Sequence, residues 1–336
     1  LSIIFISHKL HEVMSASDRV VVLRGGRVVA ERATAETSRE ELAELMVGRK
    51  VERPERPPAT PGPVLMEIAD LHLSGKGGAP LRGVDLRLRA GETLGIIGVS
   101  GNGQTTLAGV VSGLYPPDRG ALRVHGEPLR RHDVPHAIAA GIGRIPEDRH
   151  AEGVIGDMTT WENVVLERLW SPDFARRGLV RRRAARATTA DLLRDYDVRG
   201  ARVDGRVRLL SGGNMQKLIL GRVLEAGPDI LVAAQPTRGL DEGAIADVHR
   251  RLIEARARGA GVLLISEDLD EVIALSDRIR AIVGGRLSPA IPAERSDARL
   301  LGLMMAGDWS AAEALESETD GAKTSGAKSG GAAHAV

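Results

Sequence analysis

Two kinds of apolar pattern run along this chain. Residues 3–6, 93–97 and 262–265 are short, continuous and rich in β-branched side chains, which predicts strands buried on both faces of a parallel sheet. The first and last runs are each followed by a helical pattern, a second strand, a Gly-Gly pair, a third strand and a closing helix. The pairs, Gly25-Gly26 and Gly284-Gly285, supply the positive φ angles that a two-residue hairpin demands. After the run at 93–97 come a glycine-rich turn over 98–103 and a helix from Gln104, and a further helix opens at Gly212 and runs to about 226.

The first and last patterns are copies of one another. Residues 2–28 align without a gap on residues 261–287, and eleven of 27 positions are identical: Ile6, Ser7, Leu10, Glu12, Val13, Ser17, Asp18, Arg19, Gly25, Gly26 and Arg27, each matched 259 positions later. Identity at that level marks a duplicated unit rather than a shared secondary-structure rhythm. One whole domain therefore separates two copies of one ending. Residues 52–63 hold five of the chain's 16 prolines, and fixed φ with missing amide donors predicts an extended linker there. The expected organisation is a C-terminal remnant of a first domain over 1–51, the linker over 52–63, a complete domain over 64–309, and a disordered tail over 310–336, which is rich in Ala, Gly, Ser, Lys and Glu without apolar periodicity. The chain opens at Leu1 directly in an apolar run, so it reads as beginning inside a domain. That remnant lacks the sheet it should pack against.

Residues 93–111 combine a buried strand, a glycine-rich turn and a helix start. In such a context backbone N–H groups point inward, the helix dipole favours an anion, and glycines let the backbone close on a phosphate. The turn contains Gly98, Ser100, Gly101, Asn102 and Gly103, followed by Gln104, Thr105 and Thr106. Thr105 stands where such loops place a hydroxyl on Mg²⁺. The lysine usual at position 104 is missing, and a tight strand-to-helix turn without ligand remains the alternative on these residues alone. A second motif, Leu-Ser-Gly-Gly-Asn-Met-Gln-Lys over 210–217, opens a helix with a capping Ser211 and the bare amides of Gly212 and Gly213.

With that string the chain resembles the ATP-binding subunits of ABC transporters, whose signature is Leu-Ser-Gly-Gly-x-x-Gln. Other blocks agree in order: 228–241 with the Walker B strand and D-loop, 145–147 with the Q-loop, 265–267 with the H-loop, and 6–8 with the H-loop of the first copy. The resemblance covers residues 1 to about 308. It implies an α/β P-loop NTPase fold with a parallel sheet, an antiparallel β region and a helical insertion, and it implies ATP and Mg²⁺ as cofactors. Nucleotide contacts are implied for Gly98, Ser100, Gly101, Asn102, Gly103, Gln104, Thr105, Thr106, Glu147, Ser211, Gly212, Gly213, Gln216 and Asp241, with Thr105 on the metal and His8, Gln235 and Glu267 at catalytic positions. Two such domains on one chain look like the importer branch for simple sugars and nucleosides. The implied partners are transmembrane permease subunits, indirectly an extracytoplasmic substrate-binding protein, and the missing first domain. The implied location is the cytoplasmic face of the membrane, with ATP hydrolysis a property of the full transporter and this fragment inactive alone.

Departures from that family pattern all point one way. Gln104 replaces a lysine, Ala234 the metal-anchoring aspartate, Gln235 the catalytic glutamate, Glu267 the histidine and Glu147 the Q-loop glutamine. A cation and a carboxylate are lost and acids are set beside the phosphates. His72 is the nearest substitute for an aromatic partner of adenine, and otherwise a strand residue. Because ABC domains pair head to tail, the resemblance implies that the intact pieces, His8 and the 210–217 signature, serve one composite site while the altered ones serve the other.

Composition narrows the remaining classes. Forty-six basic residues balance 45 acidic ones, which argues against a nucleic-acid or membrane-surface protein, since either would need a clustered excess of Lys and Arg. Zero cysteines remove thiol catalysis and zinc-thiolate sites. The one dense basic stretch, Arg176, Arg177, Arg181, Arg182, Arg183 and Arg186, reads as a solvated face or as a contact with membrane partners or lipid headgroups. Asp191, Asp195 and Asp197 read as an exposed face rather than a metal site. Two rival functions stay open: a regulatory module that binds nucleotide without hydrolysis, and a soluble ABC protein of translation or repair.

Overall fold

The computed structural model describes residues 2–7, 9–50, 54–58, 60–75 and 78–317. The chain divides into two compact units, one built from Leu1–Glu55, Asp148–Arg222 and Pro236–Glu254, the other from Arg56–Glu147, Val223–Gln235 and Ala255–Val336.

The second of these units holds two sheets. Its larger sheet runs in the order Arg286–Leu287, Arg278–Val283, Thr93–Ile97, Gly261–Ile265, Ile230–Ala234 and Ile142–Ile145. Five of these strands are mutually parallel, and the hairpin return at Arg286–Leu287 is antiparallel. Every residue of Thr93–Ile97, Ile230–Ala234 and Gly261–Ile265 is buried, as continuous apolar runs require when both faces are covered. The smaller sheet is antiparallel, in the order Leu81–Arg89, Val64–Leu73, Arg119–Val124 and Glu127–Pro128. Its strands alternate buried and exposed positions along Leu81–Arg89, the pattern of a sheet with one wet face. Met66, Leu71, Val84 and Leu88 from this sheet share one core with Ile96, Leu107, Val232 and Leu263. The architecture is the α/β one expected, with a parallel sheet beside an antiparallel region.

The proline-rich segment is tied down on the same unit. Arg56 pairs with Asp277 and with Glu294, Arg256 donates to the Pro57 carbonyl at 2.9 Å, and Gly62 donates to the Ala90 carbonyl at 2.8 Å. Its described residues form no helix or strand.

In the other unit the duplicated ending takes the predicted shape with one exception. The helix Leu10–Ala16, the hairpin Arg19–Arg24 with Arg27–Ala33, and the helix Arg39–Val47 recur 259 positions on as Leu269–Leu275, Arg278–Val283 and Ala298–Met305. Gly25 and Gly26 have φ of 57° and 76°, Gly284 and Gly285 of 56° and 79°. Leu42 and its counterpart Leu301 are both fully buried. Residues 2–7, however, form no strand, and Ile4 and Ile6 are each 95% exposed. Their counterpart, Gly261–Ile265, pairs on both sides with parallel neighbours; residues 2–7 pair with no strand among the described residues. Lone extended segments have no ladder to satisfy their backbone.

The helical insertion of this unit comprises Thr160–Val165, Arg182–Asp195 and Gly212–Leu224, with a two-residue hairpin at Ala175–Arg176 and Leu179–Val180. Asp191 and Asp195 pair with Arg194, and Asp197 with Arg199; among the described residues no group of acids or histidines can hold a metal ion. No described helix is long and apolar enough to cross a membrane. At the C-terminal end, residues 310–317 are helical where composition predicted disorder. The Asp308 carboxylate accepts the Ser310 N–H at 3.2 Å, and Ala312 is fully buried, so a cap and an apolar anchor stabilise an Ala- and Glu-rich turn with high intrinsic helix propensity. The rest of that tail lies outside the described residues.

Candidate functional site

Four of the segments singled out from the sequence leave the C-terminal ends of adjacent parallel strands. The glycine turn follows Thr93–Ile97, Gln235 follows Ile230–Ala234, Ser266-Glu267 follows Gly261–Ile265, and Pro146-Glu147 follows Ile142–Ile145. This is the edge at which open α/β sheets place their ligand crevice. Between Gln104, Thr105, Arg144, Glu147, Gln235 and Glu267 lies a narrow cleft of about 20 Å³, little more than one water needs on that measure.

The glycine turn is rigidly anchored from below. Asn102 takes the Gly284 N–H on its Oδ1 at 2.8 Å and the Gly285 N–H on its carbonyl at 2.9 Å. Its Nδ2 donates to the Val99 carbonyl at 2.9 Å. Gly103 has φ of 116°, a region closed to most side chains. A Cβ at Gly98 would stand 2.7 Å from Gln104 Nε2 and 2.8 Å from the Ile282 carbonyl.

Inside the turn sits the Gln104 side chain. Nε2 donates to the Val99 carbonyl at 3.0 Å, and Oε1 accepts the Asn102 N–H at 3.1 Å. An amide that an anion would need is thus already engaged. The Thr105 hydroxyl donates to Glu147 Oε2 at 3.3 Å. Thr106, grouped with it as a nucleotide contact, is 1% exposed and donates to the Ala79 carbonyl at 2.8 Å; its hydroxyl is spent on the fold. Across the cleft Ala234 offers a methyl. Gln235 adopts a left-handed φ of 47°, held there by its N–H on the Ile265 carbonyl at 2.7 Å, and its Oε1 accepts the Glu267 N–H at 3.4 Å. A non-glycine residue held in that region is a mark of functional loops. His72 is bonded to Asp70 Oδ1 at 2.8 Å on the antiparallel sheet.

The Leu-Ser-Gly-Gly string lies in the other unit. Ser211 Oγ accepts from Asn214 Nδ2 at 2.8 Å, and Asn214 Oδ1 in turn accepts the Arg199 N–H at 2.7 Å, which fixes the turn before the helix. Gln216, expected among the nucleotide contacts, is 2% exposed and donates to the Pro236 carbonyl at 2.7 Å. Its amide positions the loop 236–241 instead. Asp241 closes that loop by accepting the Ala244 N–H at 2.9 Å. His8 lies outside the described residues.

Two arginines were missed by motif reasoning. Arg144 brings a cation to the cleft from a strand end. Arg149 donates from Nη1 to the Arg238 carbonyl at 2.7 Å, and its guanidinium lies where a Cβ on Gly212 would be 3.0 Å away and one on Gly239 3.3 Å away. Both flank the Pro146-Glu147 block, and a charged residue inside or beside an apolar strand end was the available signal.

Residues 81–238 match the family described as ABC transporter. The chain is 38% identical over 308 residues to the nucleoside import ATP-binding protein NupA of Lactococcus lactis subsp. cremoris, covering 91% of this chain and 61% of that protein. It is 38% identical over 313 residues to the ribose import ATP-binding protein RbsA 1 of Rubrobacter xylanophilus, covering 93% and 62%. It therefore spans about three fifths of the length of these relatives. A solved ATP-binding subunit of an ABC transporter superposes with a TM-score of 0.56 at 25% identity, over 71% of this chain and 94% of that one.

Proposed function

We propose, because this chain belongs through residues 81–238 to the ABC transporter family, that it is part of the ATP-binding subunit of an importer for nucleosides or simple sugars, and that its two sets of motifs serve two different sites. Residues 1–51 are then the end of a first ATP-binding domain and 64–309 a second. Permease subunits, an extracytoplasmic substrate-binding protein acting through them and the first domain's own phosphate loop are the partners, at the cytoplasmic membrane face.

One observation carries the division: Gln104, Thr105 and Gln235, the side chains that would meet phosphate, metal and water, are hydrogen-bonded to the loop itself, to Glu147 and to the Glu267 backbone. This arrangement holds a triphosphate and Mg²⁺ weakly. The strand end that should offer a carboxylate offers Ala234, and Glu147 and Glu267 bring negative charge to an anion's place. Gln235 has no basic lone pair to accept a proton from water near neutral pH. This half is hydrolytically silent.

The Leu-Ser-Gly-Gly turn suffers none of these losses. Ser211 and the amides of Gly212 and Gly213 stand at the N-terminus of a 13-residue helix, an end that favours an anion. Facing the first domain, they complete the γ-phosphate's surroundings there, and hydrolysis at that site is phosphoryl transfer to water aided by positioning and charge neutralisation. In the complete importer, His8→Ala abolishes substrate uptake while Glu267→Ala leaves most of it. Equal losses in the two variants would refute the division, and nucleotide binding with no turnover at all would favour a regulatory module.

A further inference from the structure

A small hairpin in the helical insertion, away from both motif sets in sequence, exposes apolar and cationic side chains together. Its strands are Ala175–Arg176 and Leu179–Val180, with Arg177 and Gly178 at the tip, both at positive φ. Arg176 lies directly opposite Leu179, so the two share a face. Leu179 is 75% exposed, Val180 43%, and Trp170, just before the hairpin, 58%.

The charge around these residues is one-sided. Residues 170–186 contain six arginines against one acid, Asp173. Arg186 pairs with Asp204 and Arg181 donates to the Pro172 carbonyl. Arg182 lies within electrostatic reach of the Glu162 carboxylate, while Arg176, Arg177 and Arg183 form no ion pair with an acid among the described residues. Arg182 and Arg183 also open the helix Arg182–Asp195, whose first turn contains no acid. Cations at that end oppose the helix dipole. Local electrostatics therefore disfavours the cluster, and burial does not explain the apolar tip, so both features point to something outside the chain.

We propose that this hairpin docks on an anionic bilayer surface, Leu179, Val180 and Trp170 entering the interfacial region while Arg176, Arg177, Arg182 and Arg183 meet lipid phosphates. Trp is favoured at that depth, and arginines beside apolar side chains are the pattern of interfacial anchors. A nucleic acid would account for the arginines and leave the aliphatic tip without a role.

Cosedimentation of the full 336-residue chain with vesicles tests this. Binding is expected to vesicles of phosphatidylcholine with phosphatidylglycerol, to weaken with added salt, and to be slight on phosphatidylcholine alone. Arg176→Gln with Arg177→Gln should lower the partition coefficient about fivefold per arginine, and Leu179→Ser about tenfold. Both changes lie on an exposed tip, and circular dichroism checks that the fold is kept. Ile4→Ser, at an exposed apolar residue elsewhere, should change nothing. Equal binding to neutral vesicles, insensitivity to the arginine pair, loss of binding in Ile4→Ser but not in Leu179→Ser, or displacement by a polynucleotide that ignores Leu179→Ser would each overturn the proposal.

Discussion

Gln104 folds back on Asn102, its Oε1 accepting the Asn102 N–H at 3.1 Å while its Nε2 holds the Val99 carbonyl at 3.0 Å. The side chain that follows the glycine turn thereby becomes an internal ligand of that turn. A lysine cannot accept a hydrogen bond, so Gln104→Lys frees the Asn102 amide and adds an ammonium. A charge-assisted contact of about 1.5–3 kcal/mol predicts ATP binding tighter by about tenfold to a hundredfold, read by titration calorimetry on the full chain. An unchanged Kd would assign the obstruction to Glu147 and Glu267.

Arg149 holds the Arg238 carbonyl and fills the space left by two glycines, Gly212 and Gly239. Arg149→Ala removes the donor and the filling together. In the importer proposed above, ATP turnover is expected to fall about tenfold, the equivalent of roughly 1.4 kcal/mol, with the KM for ATP nearly unchanged. Arg149→Lys keeps charge and a donor and should recover part of the rate.

Asp277 accepts from Arg256 at 2.6 and 2.9 Å, from the Thr93 N–H at 2.7 Å, and from Arg56. Arg256 is 3% exposed. Removing a buried charge's only partner costs about 3–5 kcal/mol, and because Arg56 still faces Asp277 after loss of Arg256, the cost here falls below that range. Arg256→Met is expected to lower the urea midpoint accordingly, and to loosen the proline-rich segment enough that protease cleaves within residues 54–63. Arg56→Gln, which leaves Arg256 in place, should cost less.

Thr159 and Glu162 form a reciprocal cap on the helix Thr160–Val165. The Thr159 hydroxyl and then its backbone N–H hold the Glu162 carboxyl below its ordinary value. A depressed carboxylate contributes stability above its unfolded pKa, and that contribution is lost as pH falls through the folded value. The Tm gap between the parent and Glu162→Gln should therefore be present at neutral pH and shrink as pH falls below the ordinary Glu range. Thr159→Ala costs about 1 kcal/mol at neutral pH.

Much of this protein was legible because local chemistry sufficed. Gly-Gly pairs fix hairpins, apolar runs such as Ile230–Ala234 require a covered sheet, and residues 81–238 match the ABC transporter family. Side-chain direction was not legible. Thr106 and Gln216 were expected among the nucleotide contacts, yet their polar atoms satisfy Ala79 and Pro236 carbonyls, and only the packed backbone reveals those acceptors. Residues 3–6 repeat the chemistry of residues 262–265 and do not repeat the strand.

By itself the sequence determined the duplicated ending and the α/β class, because residue identity and spacing are enough for each. Tertiary structure alone decided that Gln104, Ala234, Gln235 and Glu267 line one cleft, that Gln104 closes the glycine turn from within, and that Arg149 lies against Gly212. Strands far apart in the chain must first align in register before their ends can meet, and a side chain's hydrogen bonds depend on which distant carbonyl that alignment brings within about 3 Å.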